Sequence, residues 1–219
     1  MISAVIFDVD GTLLDTERLY VDAWRTACLE QGYILPEDTI RRTRAVDRTV
    51  AAQIFKEALG KDFDYQATYL RRVELAEAEI EARRKPLIKP GAVELLDYLD
   101  AHGIRKAVAT MTSGEKTRRH LDAAGLLCRF SIAVTGDMVQ NGKPDPEIFL
   151  TTAALLGVSP EQCAVCEDSY AGLEAARRAG MLPIMIPDYV PARDTERAFA
   201  EILPSLSEVI GLIQEANHE

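Results

Sequence analysis

The chain has 219 residues, 47% apolar and 27% charged, which fits an ordinary globular protein built as one large domain or as a core with a smaller insert. A formal net charge of -10 and a pI of about 4.9 would repel a polyanion, so no nucleic-acid partner is expected, and a small anionic ligand would need a local positive site. No stretch approaches the ~20 apolar residues of a membrane helix, and the run before Asp8 lacks a basic leader, so a cytoplasmic protein without membrane association is expected.

The first strand signal is Ala4-Val5-Ile6-Phe7, a continuous apolar run of the kind buried on both faces of a parallel sheet. From Thr16 to about Lys85 no strand run appears. Helical stretches fill that segment: Glu17–Gln31, Pro36–Ala45, Arg48–Leu59 and Asp64–Arg84. After Lys89-Pro90-Gly91 the pattern alternates. Strand runs at Lys106–Thr110, Ile132–Thr135, Ala164–Cys166 and Pro183–Ile186 interleave with helices at Gly91–Ala101, Glu115–Ala124, Pro146–Leu156 and Tyr170–Ala179. A glycine stands just past each of these helices, a common C-terminal stop. The alternation predicts an α/β fold with a doubly wound parallel sheet. The expected core is 1–15 plus 86–219, and the expected all-helical cap domain is 16–85, joined by two linkers.

The four cysteines include the pair Cys163-Ala164-Val165-Cys166. A redox pair wants a helix N-terminus and a zinc site wants two more ligands. Neither is visible, so these cysteines read as small apolar residues of a reduced strand. The stretch Gly136 to Lys143 has five residues between its glycines and a proline after the lysine, so it is not a P-loop. The three histidines, His102, His120 and His218, sit in helical or terminal contexts and suggest no catalytic pattern.

Open α/β sheets bind ligands beyond the carboxyl ends of their strands. Asp8 and Asp10 follow the first strand run, Thr110 and Thr112 the second, and Glu167 and Asp168 the fourth. Lys143 follows the third at a distance. The topology would gather four carboxylates, two hydroxyls and one ammonium at one rim. Such carboxylates repel unless a cation joins them, and hard oxygen donors suit Mg²⁺. Metal and lysine together would supply the local positive site. Taken singly, Thr110 is an ordinary strand-end residue, Lys143 a loop lysine, and Glu167 and Asp168 helix-start acids with Ser169 the better N-cap. Their joint occurrence is what points to a site.

Asp8-Val9-Asp10-Gly11-Thr12-Leu13-Leu14-Asp15-Thr16 resembles the first motif of the haloacid-dehalogenase-like superfamily. Thr110, Lys143-Pro144-Asp145-Pro146 and Glu167-Asp168-Ser169 resemble its second, third and fourth motifs, in order and with similar spacing. The helical insert resembles the cap of the β-phosphoglucomutase-like and phosphoglycolate-phosphatase-like subgroup. The resemblance implies a Rossmann-like core and a phosphoryl-transfer enzyme acting on a small phosphorylated metabolite. It implies that Asp8 attacks phosphorus and that Asp10 serves as general acid and base. Asp8, the carbonyl of Asp10 and Asp168 would ligate Mg²⁺, with Glu167 binding it directly or through water. Thr110, Met111, Thr112 and Lys143 would bind the phosphoryl group. In the cap, Arg44-Ala45-Val46-Asp47-Arg48 sits like a basic loop of the mutase, which makes Arg44 and Arg48 candidate substrate contacts. Tyr20 stands where the mutase carries a cap histidine.

Three functions follow from the resemblance. An acid at Asp10 suits phosphate esters rather than dehalogenation, so a phosphatase is expected first. A phosphomutase is the alternative. A non-catalytic regulatory relative would be expected to lose a motif residue, and none is lost.

Overall fold

The computed structural model describes residues 1–43, 48–82, 87–188 and 191–218. Residues 44–47 of the basic loop 44–48, Arg44 among them, lie outside these. The chain divides into two compact units, Met1–Asp15 with Lys85–Glu219, and Thr16–Arg84.

The first unit is built on a parallel sheet. Its strands are β1 (Ala4–Phe7), β2 (Arg105–Thr110), β3 (Ala133–Thr135), β4 (Cys163–Glu167), β5 (Leu182–Met185) and β6 (Glu201–Ile202), in the order β3-β2-β1-β4-β5-β6. Every pairing is parallel. Helices α5 (Ala92–Ala101), α6 (Gly114–Ala123), α7 (Glu147–Leu156), α8 (Tyr170–Arg178), α9 (Asp194–Arg197) and α10 (Val209–His218) connect and follow the strands. This is the α/β, doubly wound, Rossmann-like architecture expected from the alternation. The sheet's last strand, α9 and α10 were not anticipated. A strand of only two residues gives no apolar run to read.

The unbroken apolar runs have a simple cause. Val5 and Phe7 face one layer with Leu95, Leu96, Val209 and Ile213, while Ala4 and Ile6 face the other with Ile148, Phe149 and Ala175. Side chains alternate across a strand, so a sheet covered on both sides needs apolar residues at every position. The same alternation answers the cysteine question. Cys163 and Cys166, three apart on β4, belong to opposite layers. All four cysteines are free thiols, and burial pushes the Cys163 thiol up to about 11.

The register aligns the strand ends that matter. Phe7 pairs with Val108 on one side and with Cys166 on the other. The chain leaves β1 towards β2 and β3, then crosses back to β4 on the other side of β1. The carboxyl end of β1 is therefore the switch point of the sheet, where an open α/β fold leaves a crevice.

The second unit contains α1 (Glu17–Glu30), α2 (Glu37–Thr43), α3 (Arg48–Leu59) and α4 (Tyr65–Ala82), and no strand among the described residues. An aromatic cluster holds it together. The ring of Trp24 lies 4.4 Å from that of Phe55 and 5.6 Å from that of Tyr65, and Phe55 stacks on Phe63 at 5.7 Å. No described helix in either unit is long and apolar enough to cross a membrane.

Candidate active site

The site begins where β1 ends. The backbone N–H of Asp8 still donates to the carbonyl of Cys166 at 3.0 Å, so this residue is held by the sheet. The chain then turns sharply. The N–H groups of Thr12, Leu13 and Leu14 all point at the carbonyl of Val9, and Gly11 N–H donates to the carbonyl of Leu14. Gly11 takes φ 86°, a conformation that glycine adopts without steric cost. A Cβ on it would also lie 2.5 Å from Oδ2 of Asp168. Glycine thus lets the first-motif turn and the Asp168 carboxylate share one place.

Lys143 ties three segments together. Its ammonium donates to Oδ1 of Asp8 at 2.7 Å, to Oε1 of Glu167 at 2.6 Å and to the carbonyl of Ala109 at 3.1 Å. These are the ends of β1, β4 and β2. The loop that delivers Lys143 is pinned by Glu147, whose carboxylate accepts from the backbone N–H of Gln140 and of Asn141. The lysine side chain is only 6% exposed. Its three protons are all used, which satisfies a buried ammonium.

The charges do not balance. Burial raises the Asp8 carboxyl, Lys143 pulls it down, and Glu167 and Asp10 push it up; the net result is about 7. Lys143 is itself held well above the usual lysine range, because the attraction of Asp8 and Glu167 outweighs the burial that would lower it. One ammonium between two buried carboxylates leaves a net negative charge at the crevice.

Glu167 is 1% exposed, and both its oxygens are occupied. Oε2 accepts from the N–H of Asp168, the N–H of Ser169 and the Ser169 hydroxyl. The same Ser169 hydroxyl accepts from Gly172 N–H and so caps α8, the role expected of it. In this geometry Glu167 anchors Lys143 and the start of α8. Gly172, in the first turn of α8, was not singled out from the sequence. A Cβ there would collide with the Glu167 carboxyl. A glycine inside a helical pattern marks such close approach.

One prediction follows at this point. Gly172→Ala displaces Glu167 and with it Lys143, and should lower kcat by ~10²-fold, the cost of misplacing a catalytic group by about an ångström. Gly211→Ala, on α10 with open space around it, should leave kcat unchanged. Full kcat in the Gly172 variant would remove Glu167 from the machinery.

Thr112 and Thr110 sit at the end of β2. Thr110 Oγ1 accepts from the N–H of Thr112, and the Thr112 hydroxyl donates to Oδ2 of Asp10 at 2.7 Å. Met111, between them, is 43% exposed. The structure therefore brings Asp8, Asp10, Thr110, Thr112, Lys143, Glu167 and Asp168 to one rim of the first unit. His120 belongs with them, and the sequence reading set it aside: its Nδ1 lies 3.9 Å from Oδ1 of Asp10. Arg48 belongs to the second unit, where its guanidinium lies 3.8 Å from the centre of the Tyr69 ring.

Among the described residues no three His, Cys, Asp or Glu side chains form a ready-made metal cluster. The donor chemistry nonetheless fits Mg²⁺. Asp8 and the Asp168 carboxylate, nested on Gly11 with no room for a Cβ, are hard oxygen donors beside an uncompensated negative charge. Mg²⁺ takes one or two carboxylates and fills its shell with water.

Residues 2–180 match the sequence model of the haloacid dehalogenase-like hydrolases. The chain belongs to that family.

This haloacid dehalogenase-like hydrolase is 38% identical over 180 residues to a phosphorylated carbohydrates phosphatase of Thermotoga maritima, covering 81% of this chain and 82% of the relative. It is 35% identical over 184 residues to the fructose-1-phosphate phosphatase YqaB of Escherichia coli, covering 82% and 93%. A variant of CbbY from Rhodobacter sphaeroides, solved in complex with xylulose 1,5-bisphosphate, shares the fold with a TM-score of 0.76 at 29% identity, over 95% of this chain and 96% of that one.

Proposed function

We propose that this hydrolase is a Mg²⁺-dependent phosphatase of small phosphorylated carbohydrates, working through an aspartyl-phosphate on Asp8. The observation that carries the reading is the buried Lys143 ammonium shared by Asp8 and Glu167, with a second carboxylate, Asp10, two residues after Asp8 and held by Thr112. In the first step Asp8 attacks phosphorus, the bond to the sugar oxygen breaks, and Asp10 gives that oxygen its proton. In the second, water attacks the same phosphorus and gives a proton to Asp10. Phosphate leaves and the Asp8 carboxylate is restored. Lys143, Thr110 and the N–H of Met111 stabilise the equatorial oxygens. Mg²⁺, when bound, offsets charge on those oxygens and on the carboxylates. Its ligands are assigned to Asp8, the Asp10 carbonyl and Asp168, and Glu167 is assigned to the orientation of Lys143. Substrate choice is assigned to the helical unit as cap, with Arg44 and Arg48 as its candidate contacts.

The relatives named for carbohydrate phosphates support the substrate class. A panel of hexose, pentose and hexitol phosphates, assayed for released phosphate, tests it. Turnover confined to non-carbohydrate esters would sink the carbohydrate reading. The mutase alternative is tested separately. β-Glucose 1-phosphate with catalytic β-glucose 1,6-bisphosphate and Mg²⁺ should give free phosphate or no reaction. Rapid formation of glucose 6-phosphate with little phosphate released would replace the phosphatase by a phosphomutase and leave the Asp8 and Asp10 assignments standing.

A further inference from the structure

Only the backbone N–H of Met111 enters the steps above. Its side chain is apolar and exposed, at the rim where β2 ends. Two glycines lie against this residue. A Cβ on Gly136 would collide with the Met111 carbonyl oxygen, and one on Gly142 would stand 2.9 Å from its methyl carbon Cε and 3.7 Å from Sδ. Neither glycine takes a left-handed φ, so space rather than conformation asks for glycine at both places. They are the two glycines of the stretch Gly136 to Lys143, which does not form a P-loop; what they share is the seating of Met111. Gly142 directly precedes Lys143, and its carbonyl accepts from Asp145 N–H at 3.0 Å. The seat of the methionine and the turn that presents the lysine are therefore one piece of chain.

We infer that Met111 is a site of oxidative modification, and that its sulfoxide slows catalysis by unseating the turn that carries Lys143. The second half rests on the phosphatase reading of Lys143. The oxidant is a hydroperoxide, with hydrogen peroxide the simplest. The sulfur lone pair attacks one peroxide oxygen, and the S–O bond forms as the O–O bond breaks. The proton on the transferred oxygen passes to the leaving hydroxide, which departs as water. Sulfur loses two electrons and the peroxide gains them. A soft apolar thioether, suited to cover bare backbone, becomes a polar and chiral group. That group is better solvated in water than against Gly142, and glycine has no side chain to fill the space it leaves. The chain carries its own controls. Of its five methionines, Met1 and Met138 are also exposed, while Met181 and Met185 are buried.

The test treats the full chain with hydrogen peroxide, then with dithiothreitol to return oxidised thiols to cysteine while leaving the sulfoxide. Peptide masses should show one added oxygen on Met111. With Mg²⁺ and an aryl phosphate, kcat should fall ~10-fold or more, within the ~10²-fold cost of misplacing a catalytic group. Methionine sulfoxide reductases acting on both epimers should restore it. Each variant is compared with its own untreated rate. Met111→Leu, which has no sulfur to oxidise, should keep its rate, and Met138→Leu should lose as much as the wild type. Met111 unmodified while Met138 is oxidised, full rate with Met111 oxidised, or an equal loss in Met111→Leu would overturn the inference. Should Met111→Leu fail to fold, the repair of the wild type decides: recovery of rate must follow loss of oxygen from Met111 and not from Met138. A chain that releases phosphate from no ester, treated or untreated, would overturn the phosphatase reading and the kinetic half with it. The peptide masses would then decide by themselves whether Met111 is the modified residue.

Discussion

Asp8→Asn should bring turnover down to near the uncatalysed background while the chain stays folded. The two side chains have nearly the same volume, and asparagine keeps an oxygen at the position that accepts from Lys143. What is lost is the proposed nucleophile and, with it, a negative charge for the proposed metal. No neighbouring carboxylate replaces it, because Glu167 has both oxygens occupied and Asp10 is held by Thr112. A tenth of the wild-type kcat in the variant would remove Asp8 from the role. The same substitution has a second, less obvious effect in chelator. Burial raises the Asp8 carboxyl from its ordinary 3.8 to about 7, so between those values the folded chain binds a proton that the unfolded chain releases. Stability contributed by this group is therefore greatest at low pH and is lost as pH rises from about 4 to about 7. The full shift sets an upper limit of about 4 kcal/mol. In Asp8→Asn the lysine and Glu167 balance one to one. The metal-free variant should thus melt above the metal-free wild type at pH 8, by ~2–4 °C for each kcal/mol recovered, with the gap closing towards pH 4. A gap independent of pH would contradict the buried-charge account.

Chelation should have a comparably large effect. Activity should vanish in EDTA and return with Mg²⁺ in excess. Ca²⁺ should bind and fail to restore it. Both ions suit carboxylate oxygens, but Mg²⁺ holds its ligands at 2.0–2.1 Å in a strict octahedron, whereas Ca²⁺ accepts six to eight ligands at longer range. An Asp8 drawn into a looser shell is badly placed for in-line attack. Full activity after exhaustive chelation, or full activity with Ca²⁺ in place of Mg²⁺, would count against the metal assignment. Melting temperature gives an independent reading. Mg²⁺ should raise that of the wild type, and should do so less in Asp8→Asn.

The residues that were legible in the sequence are those whose chemistry has a fixed address. Asp8, Thr110 and Glu167 end or directly follow apolar runs, so strand periodicity locates them, and the parallel register carries them to one rim. Lys143 was legible only through its motif, since the loop that carries it has no periodicity. What holds it in place is Glu147, seven and six residues from the N–H groups it accepts from. Thr112, expected to bind the phosphoryl group, also donates its hydroxyl to Asp10, a contact that spacing does not reveal. Glu167 was offered as a metal ligand, direct or through water; its hydrogen bonds from Asp168, Ser169 and Lys143 are a further feature of the site. Such details depend on side-chain rotamers that spacing does not encode. His120 was passed over because one histidine on a helix has no pattern. A polar residue at a stripe position between Thr117 and Leu121 was the available signal. The strand Glu201–Ile202 was beyond reading for a different reason, being shorter than any period.

The position of β1 has a consequence for synthesis. Of the six strands of this sheet it is the first in the chain, yet it lies in the middle, with β2 on one side and β4 on the other. The helices of Thr16–Arg84 are contiguous and can collapse while the rest is still being made. The nascent β1 must wait for Arg105–Thr110 to cover one edge and for Cys163–Glu167 to cover the other. Until then a strand of four apolar residues has an open edge. Its acid, Asp8, gains its lysine only when residue 143 has emerged. Asp8 is thus translated ahead of the five other strands of its sheet and is given its surroundings only after most of them, so a nascent chain stalled before β4 carries a complete first motif with no site around it.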